Sequence, residues 1–212
     1  MNSLKYTILI LTLMLTSVLM AQNYEGTIEF TKKNHFDETK YIYYITSSKI
    51  RIDELKKDGA ISGTMLVDLK TKKVTAINHG RKMHMNIKSK PSIKDLSKCE
   101  TFKTTEKKKI LGYNCIKWTV SNSDYKSKAT YWVIEDGSYF FFTELLNILN
   151  RKDKEALYFM QIPENVGFFP IIGEEIGFDG KLKSRLETTK MTKKKIDPSK
   201  FVIPTGYQEF KN

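Results

Sequence analysis

The sequence predicts a mainly β domain with one or two helices, in which a strongly curved antiparallel sheet, an open half-barrel, wraps a helix. Two observations predict this fold class. Short segments of alternating apolar and polar residues follow one another along most of the 212-residue chain, with turn residues between them. One segment after residue 137 instead has its apolar residues at helical spacing. An Ig-like or lipocalin-like barrel is the alternative, because it would contain similar strands.

The first half of the chain is predicted to be a meander of strands. In the segment over residues 24–32, Ile28 and Phe30 share one face, while Thr27 and Glu29 lie on the other. The short turns between the segments favour antiparallel neighbours. Further strands are predicted over residues 41–45, 49–52, 64–69, 74–77 and 81–87.

The second half contains a predicted hairpin and the one clear helix. Residues 112–120 and 129–134 are rich in aromatic and β-branched side chains and flank a polar turn. In the segment that follows, Phe141, Leu145 and Ile148 fall at positions i, i+4 and i+7 of one helical face. Such a helix needs a broad apolar surface to cover, and a curved sheet provides one.

Three other segments complete the predicted layout. Residues 88–109 are polar and rich in lysine, and we expect a long loop or a short helix there. The stretch GFFPIIG, from Gly167 to Gly173, is predicted to be an apolar loop bounded by two glycines. The tail alternates again over residues 182–188, and residues 201–203 are predicted to form a last strand.

The N-terminus has the order of a secretory signal. Lys5 precedes an apolar run over residues 6–20, and Ala21 is a small residue suited to cleavage. The run has about 15 residues, fewer than the roughly 20 that cross a bilayer as a helix. We therefore expect a signal peptide over residues 1–21 and a single β-rich domain of unknown function over 22–212. An uncleaved N-terminal anchor is the alternative.

Cleavage would leave a protein that is soluble in the periplasm or outside the cell. No cysteine directly follows the apolar run, so a lipid-modified N-terminus is not expected. The remaining 212 − 21 = 191 residues suit one domain with a sizeable core. The net charge of +12 falls to +11 when Lys5 is removed.

This basic charge is interpreted as a solvated lysine coat, with attraction to anionic lipid or polysaccharide as the alternative. Nucleic acid is not an expected partner. Arginine is the residue whose planar side chain binds phosphate and guanine best. Only four of the 36 basic residues are arginine.

The chain has two cysteines, Cys99 and Cys115, both in the exported part. A pair this close in an oxidising compartment is most simply a disulfide, worth roughly 3 kcal/mol through its effect on chain entropy. Free buried thiols are the main alternative. The C-x-x-C spacing of a redox or metal site is absent from the sequence.

No catalytic signature is present in the sequence, and no cofactor is expected. The chain has three histidines and lacks the G-x-S-x-G, H-E-x-x-H and glycine-rich phosphate-binding motifs. The sequence has two adjacent carboxylate pairs, Asp53-Glu54 and Glu174-Glu175. Neighbouring residues on a strand point to opposite faces, so the two carboxylates of a pair would not converge on one site. We interpret these carboxylates as solvent-facing and the protein as a non-enzyme.

The most metal-like feature is His79 together with Met83, His84 and Met85. Thioether and imidazole groups suit copper(I). On a strand, however, Met83 and Met85 point to one face and His84 to the other. We therefore interpret them as two core methionines and a surface histidine, and predict no metal site.

Several short motifs resemble a known family. They are Gly112-Tyr113-Asn114-Cys115 followed by Trp118, the strand Tyr131-Trp132-Val133, the segment over residues 167–170 and the ending over residues 193–207, which includes Asp197-Pro198-Ser199-Lys200. Together they resemble the exported bacterial domain-of-unknown-function family forty-four twelve. Members of that family are similar in layout to the LolA and LolB lipoprotein carriers. The resemblance implies an open curved sheet with helices in its concave side and a greasy cavity, and supplies no catalytic residues.

The aromatic helix and the glycine-bounded loop supply the candidate ligand cavity. Their apolar side chains have the composition of a hydrophobic binding site, in which the helix would plug the cavity and the loop would act as its lid. The simpler interpretation is that they fill the core. The candidate residues are Phe140, Phe141, Phe142, Leu145, Leu149, Phe168, Phe169, Ile171 and Ile172.

The sequence therefore predicts an exported, non-enzymatic envelope protein that binds a hydrophobic ligand, a lipid or acyl chain, within a curved sheet. A lipid or lipid-modified molecule and an anionic membrane surface are the expected partners. The alternative is a structural or protein-interaction domain with a filled core and an open sheet edge.

Overall fold

The fold is described from a computed structural model that covers residues 23–87, 98–149 and 153–210. The predicted signal peptide lies outside these residues. Within them, neither helix has the length and apolar composition needed to span a membrane.

Twelve strands of the described residues form one sheet. Neighbouring strands run antiparallel, except that β12 pairs with β6 in parallel. The spatial order is β12-β6-β5-β4-β3-β2-β1-β11-β10-β9-β8-β7, so the sheet is open and its edges are β12 and β7. The strands are β1 (Gly26–Asn34), β2 (Glu38–Ile45), β3 (Lys49–Leu55), β4 (Ile61–Asp68), β5 (Val74–Asn78), β6 (Met83–Ile87), β7 (Cys99–Ile110), β8 (Tyr113–Asn122), β9 (Ser127–Ile134), β10 (Phe169–Gly177), β11 (Leu182–Lys193) and β12 (Gln208–Glu209).

Two helices interrupt the meander between β9 and β10. Helix α1 (Phe140–Leu149) and helix α2 (Lys154–Phe159) pack on one face of the sheet, and a 3₁₀ helix (Pro198–Phe201) precedes β12. The predicted face of α1 is confirmed, since Phe141, Leu145 and Ile148 are buried.

The sheet curves around these helices. One core cluster joins side chains of α1 to residues of β5 and β8, such as Val74 and Cys115. In a flat sheet these two strands, eight positions apart, would be separated by roughly 38 Å. The predicted class, an open curved sheet wrapped around a helix, is confirmed, and the closed-barrel alternative is wrong because β12 and β7 do not pair.

The loop or short helix expected over residues 88–109 is wrong for the residues of this range that the structure describes. Residues 99–110 form strand β7, which among the described strands pairs with β8 alone. Most of its side chains are exposed, including Lys107 and Lys108. An edge strand has little apolar face and is commonly protected by lysine, which removes the alternation that identifies a strand.

The expected apolar loop from Gly167 to Gly173 is also wrong. Strand β10 begins at Phe169, and Phe169, Pro170 and Ile171 are all buried. A strand covered on both faces has a continuous apolar run instead of an alternating one. The predicted last strand over residues 201–203 is likewise wrong, because the chain there leaves a 3₁₀ helix.

The expected disulfide is not formed, and both cysteines are free thiols. The register pairs Cys99 with Asn122, seven positions along β8 from Cys115. That spacing separates the two cysteines by roughly 23 Å, against the 4.4–6.8 Å between Cα atoms that a disulfide needs. Burial raises the pKa of the Cys115 thiol to about 11.

Candidate functional site

The segment that contains α1 and α2, the α1–α2 segment, leaves the sheet at Gly137 and rejoins it at Gly167, and these two glycines are in contact. Gly137 follows β9 and Gly167 precedes β10, with φ angles of 75° and 84°. A Cβ atom on Gly167 would lie 2.9 Å from the Cα atom of Gly137, so the contact requires glycine. The backbone N–H of Tyr139 donates to the carbonyl of Gly167 at 3.1 Å. Both ends of the α1–α2 segment are therefore held at one point.

A cavity of about 60 Å³ lies between this segment and the concave face of the sheet. Its walls come from β1, β2, β9, β10 and β11 on one side and from α1 and α2 on the other. The apolar and aromatic lining residues are Phe30, Tyr41, Tyr43, Tyr131, Phe142, Leu146, Ala156, Phe159, Phe169, Pro170 and Leu186, with Gly173.

Aromatic rings brace the cavity walls on both sides. The Phe142 ring lies edge-on to Phe169 and Phe159, with centroids 5.0 and 5.2 Å apart. Across the cavity, Phe30 packs edge-on to Tyr43 at 4.8 Å and stacks on Tyr41 at 5.2 Å. These separations are within the range of favourable aromatic pairs. The walls can therefore bury an apolar molecule but offer it few hydrogen bonds.

Charged residues lie at one end of the cavity. Lys32 Nζ is 3.0 Å from Asp153 Oδ2 and 3.6 Å from Glu155 Oε2. The side chain of Asp153 is 42 % exposed and that of Lys32 is 19 % exposed, so this end faces the solvent. The cavity thus has an apolar body and an ion-paired mouth.

Glu155 itself is buried, as is Glu175 on β10. Burial raises the pKa of Glu155, while the Ser184 hydroxyl and Lys32 oppose the rise and Asp153 and Glu175 add to it. Atom Oε1 of each glutamate is buried without a hydrogen-bond partner. Buried polar atoms are rarely left in this state, which marks the pair as a functional candidate.

The family match covers most of the sequence. The model for a domain of unknown function (DUF4412) matches residues 24–207. The chain belongs to this family. No curated protein matches the sequence significantly.

Solved structures share the fold of this DUF4412 domain. An uncharacterized conserved protein from Thermus thermophilus has a TM-score of 0.54 at 8 % identity, with 88 % of this chain and 90 % of that chain covered. Pseudomonas aeruginosa MucB, in its complex with MucA, has a TM-score of 0.53 at 9 % identity. That match covers 86 % of this chain and 56 % of the MucB chain.

A putative outer membrane lipoprotein-sorting protein domain from Vibrio parahaemolyticus is also similar, with a TM-score of 0.33 at 10 % identity over 85 % of this chain and 89 % of that chain. At that TM-score it supports no conclusion about this chain. The first two likenesses show a shared fold. The layout implied by the resemblance, an open curved sheet with helices in its concavity, is the observed one.

The candidate residues from the sequence fall into three groups in this DUF4412 domain. Phe142 and Phe169 line the cavity. Phe141, Leu145 and Ile171 are buried in the core. The remaining four do not line the cavity: Leu149 and Ile172 pack against the main core cluster, Phe168 packs against the second cluster, and Phe140 is 40 % exposed.

Most of the cavity lining was therefore missed at the sequence level. Alternation in β1 does identify the inner face that carries Phe30, and continuing it reaches Lys32. Asp153 and Glu155 had no such signal, because α2 is a six-residue helix whose placement depends on the glycine contact. The interpretation of Glu175 as solvent-facing is wrong, since only 6 % of it is exposed, although its neighbour Glu174 does face the other way.

A third buried carboxylate, Asp53, lies on the convex face of the sheet. Asp53 is 1 % exposed, which overturns its interpretation as solvent-facing, while Glu54 is exposed. Arg51 Nε donates to Asp53 Oδ1 and Oδ2 at 2.8 and 3.0 Å. The Thr64 hydroxyl donates to Asp53 Oδ1 at 2.5 Å.

This convex-face network, formed by Arg51, Asp53, Thr64, His79 and Tyr207, extends to the C-terminal segment. Nε2 of His79 lies 2.8 Å from the Thr64 hydroxyl, and Nδ1 lies 2.9 Å from the hydroxyl of Tyr207. Arg51 Nη1 donates to the carbonyl of residue 200 at 2.9 Å. The network therefore fastens the end of the chain to the sheet.

The methionine–histidine segment of β6 is half-buried. Met85 pairs with Ala76, and His84 pairs with Ile77, so the two side chains alternate faces as the sequence predicts. Across the described parts of the chain, no group of three or more histidine, cysteine, aspartate or glutamate side chains is arranged to hold a metal ion.

Proposed function

We propose that this DUF4412 domain is an exported, non-enzymatic protein of the bacterial envelope that binds a hydrophobic ligand, a lipid or acyl chain, between its concave sheet and helices α1 and α2. The observation that supports this function is the aromatic-walled cavity with charged residues at one end. Ligand sites in proteins have this composition, mostly apolar walls with a few polar groups that fix orientation. Burial of apolar area would supply the affinity, at about 25 cal/mol per Å².

The cavity must widen to accept such a ligand. Its volume is about 60 Å³. Pockets for small molecules typically have about 300–1,000 Å³. In this proposal the α1–α2 segment opens by a change of backbone angles at Gly137 and Gly167, where it joins the sheet. Binding is therefore coupled to displacement of α1 and α2.

The first test is saturable binding of a neutral apolar fluorescent probe, N-phenylnaphthylamine, to the purified domain. Leu186 on β11 lines the cavity, and Leu186→Trp adds a bulky ring to it. We expect this variant to bind the probe at least tenfold more weakly than the wild type. The matched control is Leu182→Trp, since Leu182 lies on the same strand but is 42 % exposed and outside the cavity.

The two tryptophan variants distinguish binding inside the cavity from binding elsewhere. A tenfold loss in Leu186→Trp, with Leu182→Trp equal to the wild type, supports binding inside the cavity. Equal loss in both variants places the probe elsewhere and contradicts the proposal. Absence of saturable binding to the wild type also contradicts it, and the 60 Å³ space is then a packing defect of a filled core.

A protein-interaction role is the second candidate, and the open edge of the sheet favours it. Strand β7 is 12 residues long, and β8 is its only partner among the described strands. Phe102 on β7 is 65 % exposed. An extended peptide can add to such an edge as a further strand. MucB, which shares the fold, was solved in complex with MucA.

Native mass spectrometry of the mature protein, purified gently from the envelope of its own host, distinguishes the two roles. A stoichiometric lipid recovered by extraction supports the cavity as the functional site. A lipid-free protein that takes up nothing from an added lipid mixture, but carries a bound polypeptide, favours the edge of β7.

A further inference from the structure

Next to the cavity lies a polar part of the interior, which contains Glu155, Glu175 and Ser184 and which we call the polar sector. Gly173 and Glu175 are two residues apart on β10 and share the inner face. Their partners on β11 are Leu186 and Ser184, respectively. Since Gly173 and Leu186 line the cavity, Glu175 and Ser184 lie one step further along the same inner surface. Glu155 on α2 lines the cavity from the opposite side.

This sector contains two carboxylates with unused acceptor atoms. Glu155 is 7 % exposed and Glu175 is 6 % exposed. Oε1 of Glu155 and Oε1 of Glu175 are buried and accept no hydrogen bond from the described residues. The only cation within 4 Å of the Glu175 oxygen, among the described residues, is Lys154 Nζ at 4.0 Å, beyond hydrogen-bond distance.

The lysines near this sector approach the two buried carboxylates only loosely. Among the described residues, Lys32 Nζ lies 3.6 Å from Glu155 Oε2, and Lys154 Nζ lies 4.0 Å from Glu175 Oε1. Lys32 makes its shorter contact with the partly exposed Asp153, at 3.0 Å. Lys154 Nζ also lies over the ring of Tyr125, 4.5 Å from its centroid. Neither lysine is therefore within hydrogen-bond distance of the buried glutamate that it approaches.

We infer that the ligand carries a protonated amine, which donates to Glu155 Oε1 and Glu175 Oε1 while its apolar chain occupies the aromatic cavity. This inference rests on the proposed function and specifies its ligand class. An ammonium group has three N–H donors and no acceptor, which suits two unused carboxylate oxygens. Its positive charge also suits a cavity end with two buried carboxylates. A carboxylate or phosphate head would add negative charge to the sector and leave both oxygens unpaired.

The test compares three ligands with the same alkyl chain: decylamine, decanol and decanoate. Each is titrated at pH 7, below its micelle concentration, by displacement of N-phenylnaphthylamine. The amine is protonated at this pH and the decanoate is ionised. We expect decylamine to bind at least tenfold more tightly than decanol, and decanoate to bind most weakly.

Two neighbouring glutamates supply the variant and its control. Glu175→Gln removes one carboxylate charge of the polar sector. We expect the affinity for decylamine to fall to near that for decanol, with the affinity for decanol unchanged. Glu174→Gln is the matched control, because Glu174 is the adjacent residue, faces away from the sector and pairs with Arg185. Glu155→Gln is the second variant, to be used if Glu175→Gln does not fold.

Each outcome bears on one of the two hypotheses. Equal affinity of the wild type for the amine and the alcohol, or tightest binding of decanoate, overturns the amine head and leaves the apolar cavity standing. Displacement of the probe by none of the three ligands also overturns it. Failure of the probe itself to bind is instead the failure of the proposed function. If Glu174→Gln and Glu175→Gln weaken decylamine binding equally, the preference for the amine comes from surface charge, and the inference is overturned.

Discussion

Asp53 and Glu155 are carboxylates buried against opposite faces of one sheet, and they differ in how their oxygen atoms are satisfied. Asp53, on the convex face, accepts from Arg51 through both oxygens and from the Thr64 hydroxyl. Glu155, in the concave interior, has one oxygen 3.6 Å from Lys32 and the other without a partner. A saturated network stabilises a fold, whereas unused buried acceptors are typical of a binding site. The Asp53 network on the convex face is therefore structural, and the proposed ligand site lies on the concave face.

The largest effect is expected from breaking the saturated network at Asp53. In Asp53→Asn the amide keeps the shape of the side chain but leaves the charge of Arg51, whose side chain is 11 % exposed, without its partner. Removing one member of a buried ion pair costs about 3–5 kcal/mol. We expect a loss of about 3 kcal/mol in the free energy of unfolding, measured by urea denaturation.

The adjacent residue provides the control for Asp53→Asn. Glu54 is exposed and accepts from the Ser62 hydroxyl at 3.0 Å. Exposed substitutions usually change stability by no more than about 0.5 kcal/mol, so Glu54→Gln should resemble the wild type. A loss below about 1 kcal/mol for Asp53→Asn would show that the network is not structural, and the contrast between the two faces would fail.

A smaller effect is expected where the same network reaches the C-terminal segment. Tyr207→Phe removes the hydroxyl that contacts Nδ1 of His79 at 2.9 Å and keeps the ring, whose centroid lies 5.8 Å from that of the imidazole. A single hydrogen bond contributes about 1 kcal/mol, and we expect that loss in urea denaturation. The double variant with His79→Ala is the control. If the two losses simply add, the two side chains are not coupled.

The sequence predicts the inner face of the sheet well and its edges poorly. In β1 and β2 one face is covered by the core and the other is more open, so alternation identifies residues such as Ile28 and Tyr43. Strand β7 is exposed along an edge, and the first residues of β10 are covered on both sides. Neither environment produces alternation, and both strands were missed for that physical reason.

The candidate site was predictable only on its apolar side. Aromatic residues at helical spacing indicate α1, and Phe142 on it does line the cavity. The charged end depends on three separate chain segments that carry Lys32, Glu155 and Glu175, and no local pattern links them. Pairing of β11 with β1 and β10, together with the contact between the two glycines, brings them together. The register of β7 with β8 likewise separates Cys99 from Cys115, although their closeness in sequence predicts a disulfide.

The smallest effect is expected at Glu155, and its direction distinguishes it from Asp53. Burial raises the pKa of Glu155 above its ordinary value of 4.5, so at neutral pH the ionised form destabilises the folded state. Glu155→Gln removes that charge, while Lys32 keeps its contact with Asp153. We expect this variant to be as stable as the wild type or more stable by up to about 1 kcal/mol at pH 7, in contrast to Asp53→Asn.

The pH dependence of Glu155→Gln provides the stricter test. Between pH 4.5 and the raised pKa, the folded wild type binds a proton that the unfolded chain releases, so its stability increases as the pH falls through this window. The advantage of Glu155→Gln should therefore shrink as the pH is lowered from 7 toward 4.5 in urea denaturation. Glu144→Gln, on the exposed side of α1, controls for the removal of one carboxylate from the net charge. If Glu155→Gln is less stable than the wild type by more than about 1 kcal/mol at pH 7, the ion pair with Lys32 outweighs the cost of burial. Glu155 would then be a structural residue like Asp53, and the concave face would have no unused charge to offer a ligand.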